Sequence, residues 1–165
     1  MFNLVLFGPP GAGKGTQAEK LIEKYGFNHI STGEVIREQI RKGTELGRSV
    51  QSYIEKGQLA PDGLVIDIIA DYVAKHKDAK GNIFDGFPRT TVQAKAFDEI
   101  MEKNSTPVSV MLSLEVPDEE LVKRLLLRGK ESGRADDSNE GVIRDRIDVY
   151  KAQTAVVADH YKPQG

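Results

Sequence analysis

Gly8-Pro9-Pro10-Gly11-Ala12-Gly13-Lys14-Gly15-Thr16 follows directly on the apolar run Phe2–Phe7. The order is strand, glycine-rich loop, lysine, helix. A loop with so little side chain curls until its backbone N–H groups converge, and converging N–H groups hold a phosphate chain. The helix that follows adds the positive end of its dipole at the same place. Lys14 adds a full charge. A glycine cluster by itself reads as a turn. Here four glycines and a lysine stand at fixed offsets between a strand and the amphipathic pattern Ala18, Leu21, Ile22, Tyr25, and that context defines a phosphate-binding loop. One position departs from the general pattern. The Ser or Thr expected after the lysine is Gly15 here, with Thr16 one place later, so direct magnesium ligation by a loop hydroxyl is in question.

Length and composition narrow the classes. A chain of 165 residues forms one domain with small inserts and a real core. The net charge of −2 excludes a general nucleic-acid binder, which carries a basic excess. There are no cysteines, so disulfides and cysteine-ligated zinc are excluded. His29, His76 and His160 stand far apart in no metal-ligand spacing and are expected to be surface or structural. No apolar stretch has the length of a membrane span or the layout of a signal peptide. The expected setting is cytoplasmic, away from membranes and nucleic acid.

Strands and helices alternate along the chain. The pattern predicts a helix over 13–25, a short strand near 27–30, and a helix from the capping box Ser31-Thr32-Gly33-Glu34 to about 42. Gly43 and Gly57 bound a further helix over 45–56, and Leu64, Ile68 and Tyr72 keep helical spacing after Pro61. A strand at 82–85 ends in Asp85-Gly86-Phe87-Pro88-Arg89, and 91–103 is helical. The apolar run 108–114 reads as a central strand. A helix over 116–128, a polar loop over 129–139 and one last long helix through Ile143, Ile147, Tyr150, Thr154 and Val157 complete the chain. Such alternation implies an α/β fold, a doubly wound parallel sheet with helices on both faces. Ligands then sit beyond the carboxyl ends of the strands, so the glycine loop, Ser31-Thr32-Gly33 and residues 85–89 should rim one pocket.

Two further signals concern charge. Asp85 ends an apolar strand, the place of a magnesium-organising acid in P-loop enzymes, acting here through water; the alternative is a helix or turn cap. Arg37, Arg89, Arg124, Arg128, Arg134, Arg144 and Arg146 fall near loops and helix ends. Planar guanidinium groups suit crowded phosphates better than lysine does. Arg128 and Arg134 flank Gly129-Lys130-Glu131-Ser132-Gly133, a segment suited to a lid that excludes water. No nucleophilic triad is visible, and phosphoryl transfer needs none.

Taken together the motifs resemble the adenylate kinase family, in its short-lid form. They are GPPGAGKGT at 8–16, STGEVIR at 31–37, DGFPRTTVQ at 85–93, RLLLR at 124–128, GRADD at 133–137 and VYKAQT at 149–154, in family order over nearly the whole chain. The resemblance implies a P-loop NTPase-type sheet and the reaction ATP + AMP ⇌ 2 ADP with Mg2+ and without zinc. It implies core segments at 1–30, 61–128 and 139–165, an AMP-binding helical insert at 31–60 and a lid at 129–138. By position, Gly11, Ala12, Gly13, Lys14, Gly15 and Thr16 would hold the ATP phosphates, with Arg124 and Arg128 on the same side. Thr32, Arg37, Gln58, Leu59, Ala60, Gly86, Phe87, Pro88, Arg89 and Gln93 would line the AMP side. Arg134 and Arg146 would clamp the phosphates, and Asp136 belongs to the same motif. Lys14, Arg89, Arg128, Arg134 and Arg146 would be catalytic. The expected partners are the nucleotides ATP, AMP and ADP, and the expected state is a monomer.

In related UMP and CMP kinases the Thr32 position tends to be alanine and the Gln93 position asparagine, so this pair favours adenine. The run between the lid arginines is one residue longer than usual, which leaves Arg144 competing with Arg146. The family continues beyond the position of Gly165 with a strand, a turn and a helix. The expectation is therefore a C-terminally truncated chain with one bare sheet edge. The alternatives are a UMP/CMP kinase, a nucleotide-binding module with impaired catalysis, and a P-loop ATPase acting on a protein.

Overall fold

A computed structural model describes residues 1–164, apart from the side chain of Ala135. The four strands described are β1 (Phe2–Phe7), β2 (Asn28–Ser31), β3 (Gly81–Asp85) and β4 (Val110–Ser113). They form one parallel sheet in the order β2-β3-β1-β4. The helices are α1 (Lys14–Tyr25), α2 (Thr32–Arg41), α3 (Glu45–Glu55), α4 (Asp62–Lys75), α5 (Thr91–Lys103), α6 (Asp118–Ser132), α7 (Glu140–Val149) and α8 (Val157–Tyr161).

Side chains alternate across a strand, and β1 is buried on both faces. Leu4 and Leu6 pack with Ile83 against Ala18 of α1. Val5 faces the larger core with Phe84, Phe87, Phe97 and Ile69. Phe84 and Phe87 meet Phe97 edge-on, with ring centroids 4.9 and 5.1 Å apart. Edge-to-face pairs of this kind add about 1 kcal/mol each beyond the area they bury. Leu6 lies beside Asp85, and Asp85 beside Ser31, in register. The carboxyl ends of three strands therefore stand level, and the segments that leave them meet.

Local chemistry explains the helix starts. Ser31 Oγ accepts the Glu34 N–H, so half of the predicted capping box forms. The Glu34 carboxylate turns to Arg37 instead of back to the cap. Thr44, Thr90 and Asn139 cap α3, α5 and α7 in the same way.

Three expectations need correction. The run at 108–114 is not central: β4 pairs with β1 alone among the described strands, and Val110 and Leu112 are exposed. An apolar run records a preference for a pleated surface, not the number of its neighbours. The segment 129–139 is not a plain loop. Helix α6 runs on to Ser132, and Ala135–Asp137 forms a 3-10 turn held by ion pairs to Asp137. The last long helix is three pieces, because Tyr150–Thr154 adopts a π-helical turn closed by Ala155 N–H to Tyr150 O. There the Tyr150 ring lies against Phe7 and Thr154 is buried.

Helices α2 and α3 form a hairpin whose closeness depends on Gly47. A Cβ there would stand 2.2 Å from Gln39 O and 2.6 Å from Ile40 N, both backbone atoms. Gly47→Ala is expected to splay the hairpin and to destabilise the fold by about 1–3 kcal/mol. Urea unfolding checks this, and an unchanged midpoint would show that the hairpin relaxes freely.

Candidate active site

The segments at the carboxyl ends of β1, β2 and β3 enclose one cleft of about 670 Å³. On one wall, residues 8–13 pass from β1 into α1. Gly11 has φ +82°, and a Cβ on it would lie 2.9 Å from Leu125 Cγ, so the loop passes too close to α6 for any side chain. Lys14 Nζ donates to the carbonyls of Gly8 and Pro9 at 2.9 and 3.1 Å. Burial pushes the Lys14 ammonium down to about 7, the Arg89 charge adds to this, and Asp85 opposes it.

The opposite wall comes from α2, the turn after α3 and the start of α5. Thr32 is buried, and its hydroxyl donates to Gly86 O at 3.1 Å. Arg89 Nε donates to the same carbonyl at 2.6 Å. Gln93 is 1% exposed; its Oε1 accepts the Arg89 N–H at 2.8 Å. Arg37, Gln58, Leu59, Ala60, Phe87 and Pro88 line the same side. Asp85, at the end of β3, faces the cleft floor and accepts from His29 Nε2 at 3.2 Å.

Arginines close the third side around Asp137, which is fully buried. Arg128 donates two hydrogen bonds to its carboxylate, at 2.6 and 3.1 Å. Arg146 Nη1 reaches it at 2.6 Å, and Arg134 Nε lies 3.3 Å away. Asp136 pairs with Arg134 and Arg146. Burial pushes the Asp137 carboxyl up. The Arg128 hydrogen bond and the Arg134, Arg128 and Arg146 charges overcome it and hold the group below the usual carboxylate range. Burial also pushes Arg134 down, with Arg37 and Arg128 adding to it. For Arg89, burial and Arg146 bring the guanidinium to about 10, so it stays charged at neutral pH.

Almost every residue expected at the site lines the cleft, Gly13, Gly15, Thr16 and Arg124 included. Ala12 does not; its methyl packs with Leu121 and Leu125 in the core. Arg124 also pairs with Glu120. Of the two candidates on α7, Arg146 turns into the cleft, whereas Arg144 turns outward to Glu119 and Glu140. His29, expected to be surface or structural, touches Asp85 in the cleft, because β2 runs beside β3 in register. Spacing along the chain carries no sign of that. Asp137 was visible as part of GRADD, but its burial among three arginines was not. His76 and His160 stay away from the cleft, against Tyr72 and Asp98.

Cations gathered in this number at the end of a parallel sheet, beside a phosphate-type loop, place the chain among P-loop phosphotransferases. Comparison with known proteins narrows this further. The adenylate kinase family model matches residues 6–165. A protein named adenylate kinase from Phocaeicola vulgatus is 56% identical over all 165 residues, which span 87% of that relative. One from Bacteroides thetaiotaomicron is 56% identical over 98% of this chain and 85% of its own length. One from Porphyromonas gingivalis strain W83 is 48% identical over 98% and 82%. The chain belongs to the adenylate kinase family.

Asp137→Asn is expected to cost about 2–3 kcal/mol, because it leaves three guanidinium groups short of a counter-charge; the figure allows for the partial exposure of Arg128. The Asp137 carboxyl sits below its unfolded value near 3.9. Its stabilisation is therefore present above about pH 4 and is lost as pH falls through the lower, folded value. Thermal melts from pH 7 down to 3 should show the native protein losing stability more steeply than Asp137→Asn. Parallel curves would remove Asp137 as the acid-sensitive group.

Proposed function

We propose that this chain catalyses the reversible transfer of a phosphoryl group from ATP to AMP, giving two ADP. The reading is carried by one juxtaposition: the Lys14 loop and the Thr32–Gln93 wall face each other across a cleft flanked by arginines. A triphosphate and a monophosphate brought there end to end put their phosphates among Lys14, Arg89, Arg128, Arg134 and Arg146. We assign the ATP phosphates to the backbone of residues 11–16, with Arg124 and Arg128, and AMP to Thr32, Arg37, residues 58–60, residues 86–89 and Gln93. Helices α2 and α3 then form the AMP-binding insert, and the end of α6 with the Ala135–Asp137 turn forms the lid.

An oxygen of the AMP phosphate attacks the terminal phosphorus of ATP. The bond from that phosphorus to the bridging oxygen breaks, and ADP leaves. Negative charge shifts onto the oxygens being transferred and released. Cations that are already oriented stabilise that shift without rearrangement, so positioning and charge do most of the work. Phosphate charge also restores the Lys14 ammonium that burial weakens. Arginines held by Asp136 and Asp137 close over the phosphates and exclude water, which would otherwise accept the phosphoryl group.

Magnesium fits the residues present. Among the described residues no cluster of three or more acidic or histidine ligands forms a cage. A magnesium ion that travels with ATP keeps several waters and needs one or two carboxylates, and Asp85 supplies one on the cleft floor. Thr16 is exposed at the mouth of the loop. The ion would neutralise phosphate charge when bound. Among the described residues no helix is long and apolar enough to cross a membrane. A monomer working on cytoplasmic nucleotides is part of the same proposal.

A coupled assay of ADP formation from MgATP should show turnover with AMP and little with UMP or CMP. Faster turnover with UMP or CMP than with AMP would move the assignment to pyrimidine nucleotides. Lys14→Ala and Arg89→Ala should each lower kcat by about a thousandfold; near-native rates in either would sink its catalytic role. A second expectation follows from the free Lys14 value of about 7. At pH 8 most of this lysine is neutral, and bound phosphates raise its pKa, so ATP binding takes up a proton. Calorimetry in buffers of different ionisation heat measures that uptake, and Lys14→Met should abolish it. Uptake that persists in the variant would place the proton elsewhere.

A further inference from the structure

We propose that Asp62 sets which purine the cleft accepts, by holding the Gln93 carboxamide in one orientation and so excluding 6-oxo purine monophosphates. The inference rests on the assignment of Gln93 to the AMP side and deepens it. No sequence motif singled out Asp62. It lies in the first turn of α4, where an acid would ordinarily serve the helix dipole.

Its carboxylate does something more specific. Gln93 Nε2 donates to Asp62 Oδ1 at 2.9 Å, while Gln93 Oε1 accepts the Arg89 backbone N–H at 2.8 Å. A carboxamide carries a donor end and an acceptor end of nearly equal size, and a half-turn exchanges them. Here neither partner tolerates that exchange. A backbone N–H only donates, and an ionised carboxylate only accepts. Turning the amide over would set oxygen against oxygen and N–H against N–H, in a side chain that is 1% exposed, where water cannot make good the loss.

Asp62 is itself held in place. Thr90 Oγ1 donates to the same Oδ1 at 2.9 Å and accepts the Gln93 backbone N–H at 3.2 Å as the cap of α5. The α4 residue is thereby tied to the start of α5 through two side chains. Gln93 keeps one N–H and one oxygen lone pair unspent in this network, in a fixed order. A 6-amino purine presents an acceptor, N1, beside a donor, the amino group. A 6-oxo purine presents the reverse, an N1–H donor beside an oxygen acceptor. An amide free to turn would serve both edges; one that is clamped serves one. Under the AMP assignment that edge is the 6-amino one, and selectivity among purines depends on a residue that does not touch the base.

The test compares AMP with inosine monophosphate in the native chain, Asp62→Asn, Asp62→Ala and Asp62→Glu. The asparagine variant can donate or accept, so it removes one of the two penalties on turning the amide and leaves only the Arg89 N–H against it; the alanine variant removes the same penalty and serves if asparagine prevents folding. Both should lower the ratio of kcat/KM for AMP over inosine monophosphate by about tenfold or more. The change should fall mainly in KM, with kcat at saturating AMP within a few-fold of native. Asp62→Glu, which still only accepts, should restore much of the ratio. Titrations of both monophosphates read the same ratio as binding. A native chain that binds AMP without forming ADP would therefore overturn the proposed reaction and still test Asp62. A ratio unchanged within about twofold in the folded asparagine or alanine variant, while AMP affinity falls, would reduce Asp62 to a structural role and overturn the inference.

Discussion

The structure depends on gathering positive charge that would otherwise fly apart. Lys14, Arg37, Arg89, Arg128, Arg134 and Arg146 all face one cleft, in a chain whose net charge is −2. Asp137 is the counterweight. It is fully buried, takes both fork hydrogens of Arg128 and is approached by Arg134 and Arg146. A buried carboxylate is a poor source of net stability, since desolvation offsets much of the Coulomb attraction. What it supplies is position. The end of α6, the 3-10 turn and α7 converge because Arg128, Arg134 and Arg146 share the acid that the turn carries. That is why the stretch after Arg128 folds as a compact piece instead of a polar loop.

The sheet supplies the second constraint. Parallel strands deliver the connections that follow them to one edge. Level register then sets Leu6, Asp85 and Ser31 side by side at that edge. Backbone that leaves there must turn at once, and the turns carry the chemistry. The Gly86 carbonyl shows how tightly they are joined. It accepts from Thr32 and from Arg89, which come from separate segments. A small shift in either is felt by the other. Under the proposed assignment, recognition of the base and placement of the phosphoryl acceptor are coupled through a single backbone oxygen.

Burial tunes the cations that this geometry assembles. Lys14 lies near neutrality in its pKa because a buried ammonium loses hydration and meets other cations. Arg89, under the same pressure, stays charged because guanidinium begins so much higher. The cleft therefore holds fixed positive charge in its arginines and one group that responds to what binds. A polyanion relieves the repulsion among them, which makes the site most stable when filled.

The sequence by itself determined the parallel α/β sheet, the phosphate loop and the lysine and arginines of the cleft. These follow from local chemistry: glycine offsets after an apolar strand, caps at helix starts, and strand ends that must share one edge. It also marked the arginines as a set, since charge of one sign near loop ends needs an anionic partner. Tertiary structure decided what depends on neighbours distant in the chain. Whether the apolar run at 110–113 lay inside the sheet or at its edge depended on pairing, which its own residues do not encode. His29 reached Asp85 through strand register, and Arg146 faced inward while Arg144 faced out because of the turn on which α7 begins. The burial of Asp137 and the hold of Asp62 on Gln93 arise from contacts between separate elements. No periodicity records such contacts, because they exist only once the helices have packed.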